Sequence, residues 1–469
     1  MSRAYGVIDV GTTSIKLKVY DGNFNVVYDE RVYARTQLSS DMRAHNPTIL
    51  KEAFEHFIRK ARSLGVRRLG ISTYRASVLA WDKNGNPLTD IITWLDRRPA
   101  EVLSRPLYRI LKLIPPLDKI LRVDSPAVKM KWLLETRGDL KARVERGDAY
   151  VGTVSSYIAF LVSRRYVNDV TNEALTGLLH PKTLKRLTVT YEILGIPKAV
   201  DPEVVDNNAY IGSVDGVDVV ALIADQQAAV IGSSCFNLGC VKLTSGTGVF
   251  ADTPTRDFMM PGRGLIPVVL YSIDGRRGYG IEGFNQSGGT VLEWLLSVEL
   301  LRDLSEVDEL VERAKASIVF QPSITGMSFP TLRSYGSGLL YGMRPGMTRA
   351  DVVRGFIEGL ALASCSIVKT VGEVAGGVKV IRADGGVSRS SSYLKLLSTA
   401  CGVAVERVRG CDATGRGVAL LVALYEGGIS FDDLVRLADI DLTVKPGDSV
   451  IKTDLRLWEE SSRWDLRIS

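Results

Sequence analysis

Asp9 closes an apolar run, YGVIDV, and is followed at once by Gly11-Thr12-Thr13-Ser14 and a second run, IKLKVY. A carboxylate at the end of a buried strand is costly unless a partner meets it. A turn of small residues bares backbone N–H groups, and with the hydroxyls of Thr12, Thr13 and Ser14 it makes a nest for phosphate oxygens. A second turn of this kind, Gly246-Thr247-Gly248, joins CVKLTS to VFADT. Either turn alone reads more simply as an ordinary hairpin. Asp9 shifts the balance, because a carboxylate beside a phosphate nest is repulsive unless a cation lies between them. Magnesium held through water meets that need at Asp9. Two nests facing each other across a cleft would clamp one polyphosphate from both sides.

Asp225 is the candidate base. It ends the run VVALIA and opens the helical stretch QQAAV, a place that also suits a helix N-cap. His45, His56 and His180 lie in unremarkable surroundings, so a histidine base is not expected. Aspartate is a weak base, but phosphoryl transfer has a loose transition state that asks mainly for orientation. A hydroxylated acceptor also needs a donor and a wall. Arg75 in STYRAS and Trp94 in ITWLDRR stand near strand ends, and Phe250 follows the second nest. Arginine donates to vicinal hydroxyls and aromatic faces stack on C–H surfaces. Gly278, Gly280 and Gly283 match GxGxxG but trail a hairpin, and no GxxxxGK[ST] occurs, so a dinucleotide fold and a P-loop are both disfavoured. Asp384-Gly385-Gly386 sits between a strand and a helix, where a flat base could lie on bare backbone.

The elements that must carry these residues are legible from periodicity. Residues 5–10 and 15–20 alternate as strands, and FNVVYDERVY continues them as a meander. NPTILKEAFEHFIRKARSLG is a helix capped by Asn46, begun at Pro47 and ended at Gly65. VRRLGIST returns as a strand, SVLAWDKNGNPLTDIITW is a hairpin about Asn84-Gly85, and residues 100–200 are mainly helical, GDAYVGTVSSYIAFLVSRRYVNDVTNEAL being a helix and a polar connection. AYIGSVDGVDVVALI is a hairpin about Asp215-Gly216. The second half opens with the same strand–Gly/Thr turn–strand pattern, then a hairpin in IDGRRGYGIEG, a helix near 350–375, the strand VKVIRAD, a helix, the strand VAVERV and the helix RGVALLVALYEGG. Two halves that open alike imply an internal duplication at the level of the fold, and α/β layers with mixed sheets.

A chain of 469 residues exceeds one core and implies at least two domains. The net charge of +6 is spread among acids, as in KTLKRL and LRLWEESSRWDLR, which reads as solvated surface rather than a nucleic-acid stripe. Cys235, Cys240, Cys365, Cys401 and Cys411 form no CxxC and no zinc pattern, and reduced, mostly buried thiols are expected. No apolar run would span a bilayer and no leader follows MSRAYG, so the expected location is the cytoplasm and no membrane partner is expected.

Taken together and in order, DVGTTSIK, YRASVLAWDKNGNPLTDIITWLDRR, ADQQAAVIGSSCFNLGCVKLTSGTGVF, GLLYGMRPGMTRADV and VIRADGGVSRSSSYLKLLS resemble the FGGY carbohydrate kinases, among them the glycerol kinases most, nearly end to end. The resemblance implies an α/β chain of two ribonuclease-H-like (actin-like ATPase) domains with a cleft that closes by a hinge. Residues 1–228 would hold the acceptor, magnesium and the base, and residues 229–469 the nucleotide. It implies ATP and Mg2+ as cofactors, a small polyol or sugar as substrate, no nucleic-acid partner, and leaves a homodimer open. By motif, Asp9 would position magnesium, and Thr12, Thr13, Ser14 and Lys16 would hold phosphates, Lys16 standing where glycerol kinases carry Arg. Gly246 and Thr247 match the second phosphate contact and Gly289 a nucleotide contact. Glu293 replaces the usual Gln. Gly386 and Ser390 match an adenine-binding Gly and Asn. Asp225 matches the catalytic base, Gln226 its substrate-binding neighbour, and Arg75, Trp94 and Phe250 the acceptor wall. Ala76 stands where glycerol kinases have Glu, and Asp124 near the pocket Tyr. Glycerol is then the leading acceptor, with ketoses of the xylulose or ribulose type as alternatives and an actin-like ATPase without a sugar substrate as the rival from another class.

Overall fold

β1 (Tyr5–Val10), β2 (Ser14–Tyr20) and β3 (Val26–Tyr33) form the expected antiparallel meander in a computed structural model that describes residues 4–34, 36–39, 41–115, 117–324 and 338–462. The end of the basic and acidic run LRLWEESSRWDLR, from 463 on, lies outside the described residues. All six residues of β1 are buried, because the strand is central: β2 pairs with it on one side and the parallel strand Arg68–Thr73 on the other. The strand Val217–Ala224 extends the sheet next to Arg68–Thr73, and Gly212–Val214 edges it, giving six strands. α1 (Pro47–Ser63) crosses over as expected. Asn46 accepts from Thr48 N, Leu64 and Gly65 (φ +80°) end the helix, and Leu50, Ala53, Phe54, Phe57, Ile58 and Ala61 lie buried along one face.

A second, five-stranded sheet runs in the order Thr36–Leu38, Arg43–His45, Ile91–Ile92, Val78–Asp82, Ala149–Thr153. Its last strand corrects the expectation of one helix across GDAYVGTVSSYIAF. Tyr150 pairs with Trp81 across the strands, and Thr153 with Ser156 forms a capping box that starts the helix Val154–Ser163 only there. A short buried strand followed by a Thr cap looks like one apolar helical stretch until its partner strand is known.

Seven strands make the other large sheet, in the order Ile266–Ile273, Arg276–Asn285, Val249–Thr255, Cys240–Ser245, Val380–Asp384, Ala404–Val408, Ile440–Val444. Its inner order repeats the first sheet: an antiparallel set of three, then parallel strands beyond the first of them. The internal duplication is therefore visible in the topology. The helix Arg349–Ala375 packs on this sheet through Phe356, Leu360, Ile367 and Val371, and Thr348 and Asp351 cap its start reciprocally.

The chain forms two compact units. The first contains Met1–Gly232, Val268–Gly278 and Thr414–Leu434, and the second contains Ser233–Pro267, Tyr279–Ala413 and Val435–Ser469. The division expected after Ala228 would cut the helix Asp225–Gly232, which stays whole in the first unit. Two later segments also join that unit for physical reasons. Ser272 N donates to Asn207 Oδ1 and Gly275 N to Asp206 Oδ2. The helix Ala413–Tyr425 crosses Asp225–Gly232 so closely that a Cβ on Gly417 would lie 1.9 Å from Ala228 O.

Cys235 and Cys240 are joined in a disulfide, which corrects the expectation of five free thiols. Positive φ at Ser234 (+52°), just before Cys235, and at Gly239 (+87°), the last of the four connecting residues, turns the chain back, bringing the two Cα atoms to 5.5 Å, within bridging range. Cys365, Cys401 and Cys411 are free. Among the described residues no helix is long and apolar enough to cross a membrane.

Candidate functional site

The register of the first sheet answers what meets Asp9. On β2 its neighbour is Lys16, and on Arg68–Thr73 it is Ser72. Lys16 Nζ lies 3.1 Å from Asp9 Oδ2, and Ser72 Oγ donates to Asp9 Oδ1 at 2.8 Å. The carboxylate is thus met by an ammonium within the protein, where a cation between carboxylate and phosphate is the expectation from the sequence. Next to it Gly11 N donates to Ser14 O at 3.0 Å, Thr13 O accepts from Ala34 N, Thr13 is exposed and Thr12 half-exposed. Among the described residues no group of three His, Cys, Asp or Glu could cage a metal. A lone carboxylate fits magnesium that arrives on a nucleotide with its waters, since that ion binds through one or two carboxylates plus phosphates.

Asp225 is the first residue of the helix Asp225–Gly232, and its Oδ1 accepts from Gln226 N at 2.7 Å. Arg75 Nε lies 3.5 Å from the same oxygen. These two residues meet because Arg68–Thr73 and Val217–Ala224 are adjacent parallel strands in register, with Thr73 beside Ala224. Ser77 Oγ donates to Arg75 O and accepts from Trp94 N, both at 3.1 Å, which ties Trp94 to the same turn. Asp124 joins the group as well. Lys129 Nζ donates to Ala76 O at 2.6 Å and to Asp124 O at 3.0 Å, and Arg122 grips the Asp124 carboxylate bidentately. Gln226 is buried beside Asp225. The structure therefore collects Asp9, the Gly11–Ser14 turn, Lys16, Arg75, Trp94, Asp225 and Gln226 in the first unit.

In the second unit three backbone segments interlock through glycine. Gly246 N donates to Gly248 O, Gly288 N to Thr247 O and Gly289 N to Gly246 O, so the Gly246–Gly248 turn accepts from the first N–H groups of the helix Gly289–Ser297. A Cβ on Gly288 would stand 2.8 Å from Gly246 O, one on Gly248 2.7 Å from Asn285 O, and one on Gly385 2.7 Å from Ser245 O. By contrast a Cβ on Gly246 or Gly386 would meet nothing within 4 Å. Packing demands glycine at the first three positions and not at the last two, which leaves bare backbone suited to a phosphate or a flat base. Glu293 is exposed one turn along the helix. Ser390 caps the helix Ser391–Cys401 by accepting from Tyr393 N, and donates to Asp308 Oδ1 at 2.5 Å. Its hydroxyl is thus engaged in capping. Burial pushes the Asp308 carboxyl up, but donors from Ser390, Ser391 and Ser392 outweigh this and hold it below the usual range. Phe250 stacks on Phe284 with centroids 5.6 Å apart. Of the GxGxxG glycines, Gly278 serves packing: a Cβ there would strike the Tyr271 ring at 2.2 Å.

One group escaped the sequence reading. The segment 168–174, taken as a polar connection, is buried and fully bonded. Asp169 accepts from Ser155 Oγ, Thr171 Oγ1, Asn172 N and Asn172 Nδ2. Thr171 Oγ1 in turn accepts from Ala224 N, and Asn172 Nδ2 reaches Thr73 Oγ1. This hub fixes the two strand ends that carry Arg75 and Asp225. The available signal was a run of five polar side chains, Asn-Asp-Val-Thr-Asn-Glu, between apolar stretches.

Comparison with known proteins gives both halves one source. Residues 4–232 match the N-terminal domain of the FGGY family of carbohydrate kinases and residues 228–425 its C-terminal domain. The chain is 31% identical over 454 residues to a glycerol kinase of Thermus brockianus, covering 92% of this chain and 91% of that one. It is 28% identical over 503 residues to an uncharacterized sugar kinase of Archaeoglobus fulgidus, covering 98% and 97%. Among solved structures, Plasmodium falciparum glycerol kinase with ADP superposes with a TM-score of 0.85 at 25% identity, covering 98% and 96%. A ligand-bound xylulose kinase of Lactobacillus acidophilus shares the fold at 0.80 and 19% identity, covering 94% of each chain.

Proposed function

Since the chain belongs to the FGGY family of carbohydrate kinases, we propose that it transfers the γ-phosphate of ATP to a hydroxyl of a small polyol or sugar, with glycerol first among the acceptors. The observation that carries this reading is the approach of Arg75 to Asp225 at 3.5 Å, beside Trp94. Asp225 orients the acceptor hydroxyl and takes its proton as the new O–P bond forms and the bond from the γ-phosphorus to the bridging oxygen breaks, releasing ADP. Arg75 donates to the neighbouring hydroxyl, Trp94 walls the carbon face, Gln226 fixes the far side, and Phe250 is the substrate contact proposed in the second unit. Thr12, Thr13, Ser14 and Lys16 stabilise phosphate charge, and the second unit's Gly246, Thr247, Gly289, Glu293, Gly386 and Ser390 are the proposed nucleotide contacts. Asp9 would hold magnesium, which neutralises phosphate charge when bound.

Glycerol leads because the relatives at 31% and 25% identity carry that name. Ala76, with no carboxylate to accept from a hydroxyl, supports the second reading, a ketose or longer polyol. A coupled ADP-release screen over glycerol, other polyols, pentuloses and hexuloses decides between them. Asp225→Asn should then lower turnover on the best acceptor by about 100-fold or more with ADP binding retained. Near-normal turnover in that variant removes Asp225 as the base, and ADP release that no acceptor accelerates removes the kinase reading in favour of an actin-like ATPase.

A further inference from the structure

Lys129 lies in the helix Pro126–Thr136 with none of its surface exposed. An ammonium in such a place needs strong acceptors. It has two backbone carbonyls, Ala76 O at 2.6 Å and Asp124 O at 3.0 Å. Both belong to the proposed acceptor site, and they come from segments 48 residues apart in the chain. Ala76 has φ +54°, a left-handed conformation that alanine adopts reluctantly. It is the residue that turns the chain from Arg75 into Ser77, whose hydroxyl carries the bonds to Arg75 O and Trp94 N.

We propose that Lys129 is a positioning residue for the acceptor site, its ammonium clamping the turn 75–77 so that Arg75 points at Asp225, and joining that turn to the segment that bears Asp124. The inference rests on the reading of Arg75, Trp94 and Asp225 as that site. A role in filling space alone would be met by an apolar side chain of similar volume. What an apolar side chain cannot supply is a common donor for two carbonyls on different segments. The charged groups around the ammonium are the Asp124 carboxylate, bound by Arg122, and the Asp96 carboxylate, bound by Arg98, with Arg75 beyond Ala76. Burial lowers the Lys129 ammonium to about 7, against the pull of Asp124 and Asp96. The clamp is therefore charged below that pH and weaker above it.

The test is the acceptor KM at saturating ATP, measured from about pH 6 to about pH 8.5 for the natural protein and for Lys129→Met, using the acceptor with the fastest turnover. The natural protein should show an acceptor KM that rises across this range. Lys129→Met should raise the acceptor KM about tenfold at the acid end, leave the ATP KM within about twofold, and abolish the pH dependence. An unchanged acceptor KM, or acceptor and ATP KM rising together, overturns the inference alone. Should Lys129→Met not fold, a flat acceptor KM in the natural protein overturns it and a rise with a midpoint near 7 supports it. Absence of any acceptor-dependent ADP release overturns the acceptor-site reading, and this inference with it.

Discussion

Gly246→Ala and Gly386→Ala each add a methyl where no protein atom lies within 4 Å, and neither glycine has positive φ. The protein itself should tolerate both. A glycine-to-alanine change in a compatible conformation stabilises by about 0.4–1 kcal/mol through the unfolded chain, a rise of no more than about 4 °C in Tm. Gly288→Ala is the contrast. Its methyl would sit 2.8 Å from Gly246 O, 2.8 Å from Gly248 C and 2.9 Å from Gly248 O. These are backbone atoms that cannot rotate away, so overpacking of about 1–3 kcal/mol is expected, with a Tm several degrees lower. If the bare backbone at 246 and 386 receives a nucleotide, the two tolerated variants should lose what the fold does not use. Displacing a nucleotide group from one ordinary hydrogen bond costs about 0.5–1.5 kcal/mol, so the Kd for ADP should rise about 2- to 13-fold. Thermal unfolding and calorimetric titration with ADP separate the two effects. Natural ADP affinity in both Gly246→Ala and Gly386→Ala would refute the assignment of these glycines. Natural stability in Gly288→Ala would refute the packing account of the interlock.

Two further outcomes follow from buried groups. His45 lies between Thr36 and Tyr74, and burial lowers its imidazole from 6.5 to about 4. The unfolded chain takes up a proton first, so this histidine's contribution is complete above about pH 6.5 and lost as pH falls toward 4, by about 3 kcal/mol. Urea unfolding of His45→Gln should show a shallower loss between about pH 7 and about pH 4.5, and an unchanged slope would contradict the argument. The Cys235–Cys240 bridge closes a short loop, worth about 2 kcal/mol by the chain-entropy estimate. Denatured, unreduced protein should titrate three thiols, those of Cys365, Cys401 and Cys411. Five titratable thiols before reduction would rule the bridge out.

What the sequence disclosed depends on the range of the interaction concerned. Hairpins, the caps at Asn46 and Gly65, and the strand–turn–strand openings are local, and alternation or turn chemistry reveals them. The pair Asp9–Lys16 was equally within reach, since a turn at 11–14 pairs Val10 with Ile15 and so Asp9 with Lys16. The strand Ala149–Thr153, the hub around Asp169 and the Lys129 clamp are non-local. Nothing near 129 announces that its carbonyl partner lies at 76. The glycines behave alike: Gly246 and Gly386 stood out in motifs, whereas Gly288 and Gly385 matter only because other loops press on them.

The duplicated topology also shows that the carboxylates near the two nests differ in setting. Asp9 lies two residues before Gly11, and its counterpart two residues before Gly246 is Thr244. Across the parallel pairing, Asp9 stands beside Ser72, whereas Thr244 stands beside Asp384. Both units thus place one carboxylate and one hydroxyl at the loop end of the same two central strands, with the strands exchanged. The consequences differ because the neighbours differ. Asp9 has the Lys16 ammonium at 3.1 Å, next to the Gly11–Ser14 turn. Asp384 is buried, and that burial pushes its carboxyl up to about 6 despite Lys242 and the Ala413 N–H. Lys242 is itself committed to Asp252 at 2.7 Å, both side chains fully buried. A carboxylate so placed serves the fold, holding the start of the helix Ala413–Tyr425 through Ala413 N. The first turn therefore has an ion-paired carboxylate beside it, and the second a buried carboxylate turned to the helix start.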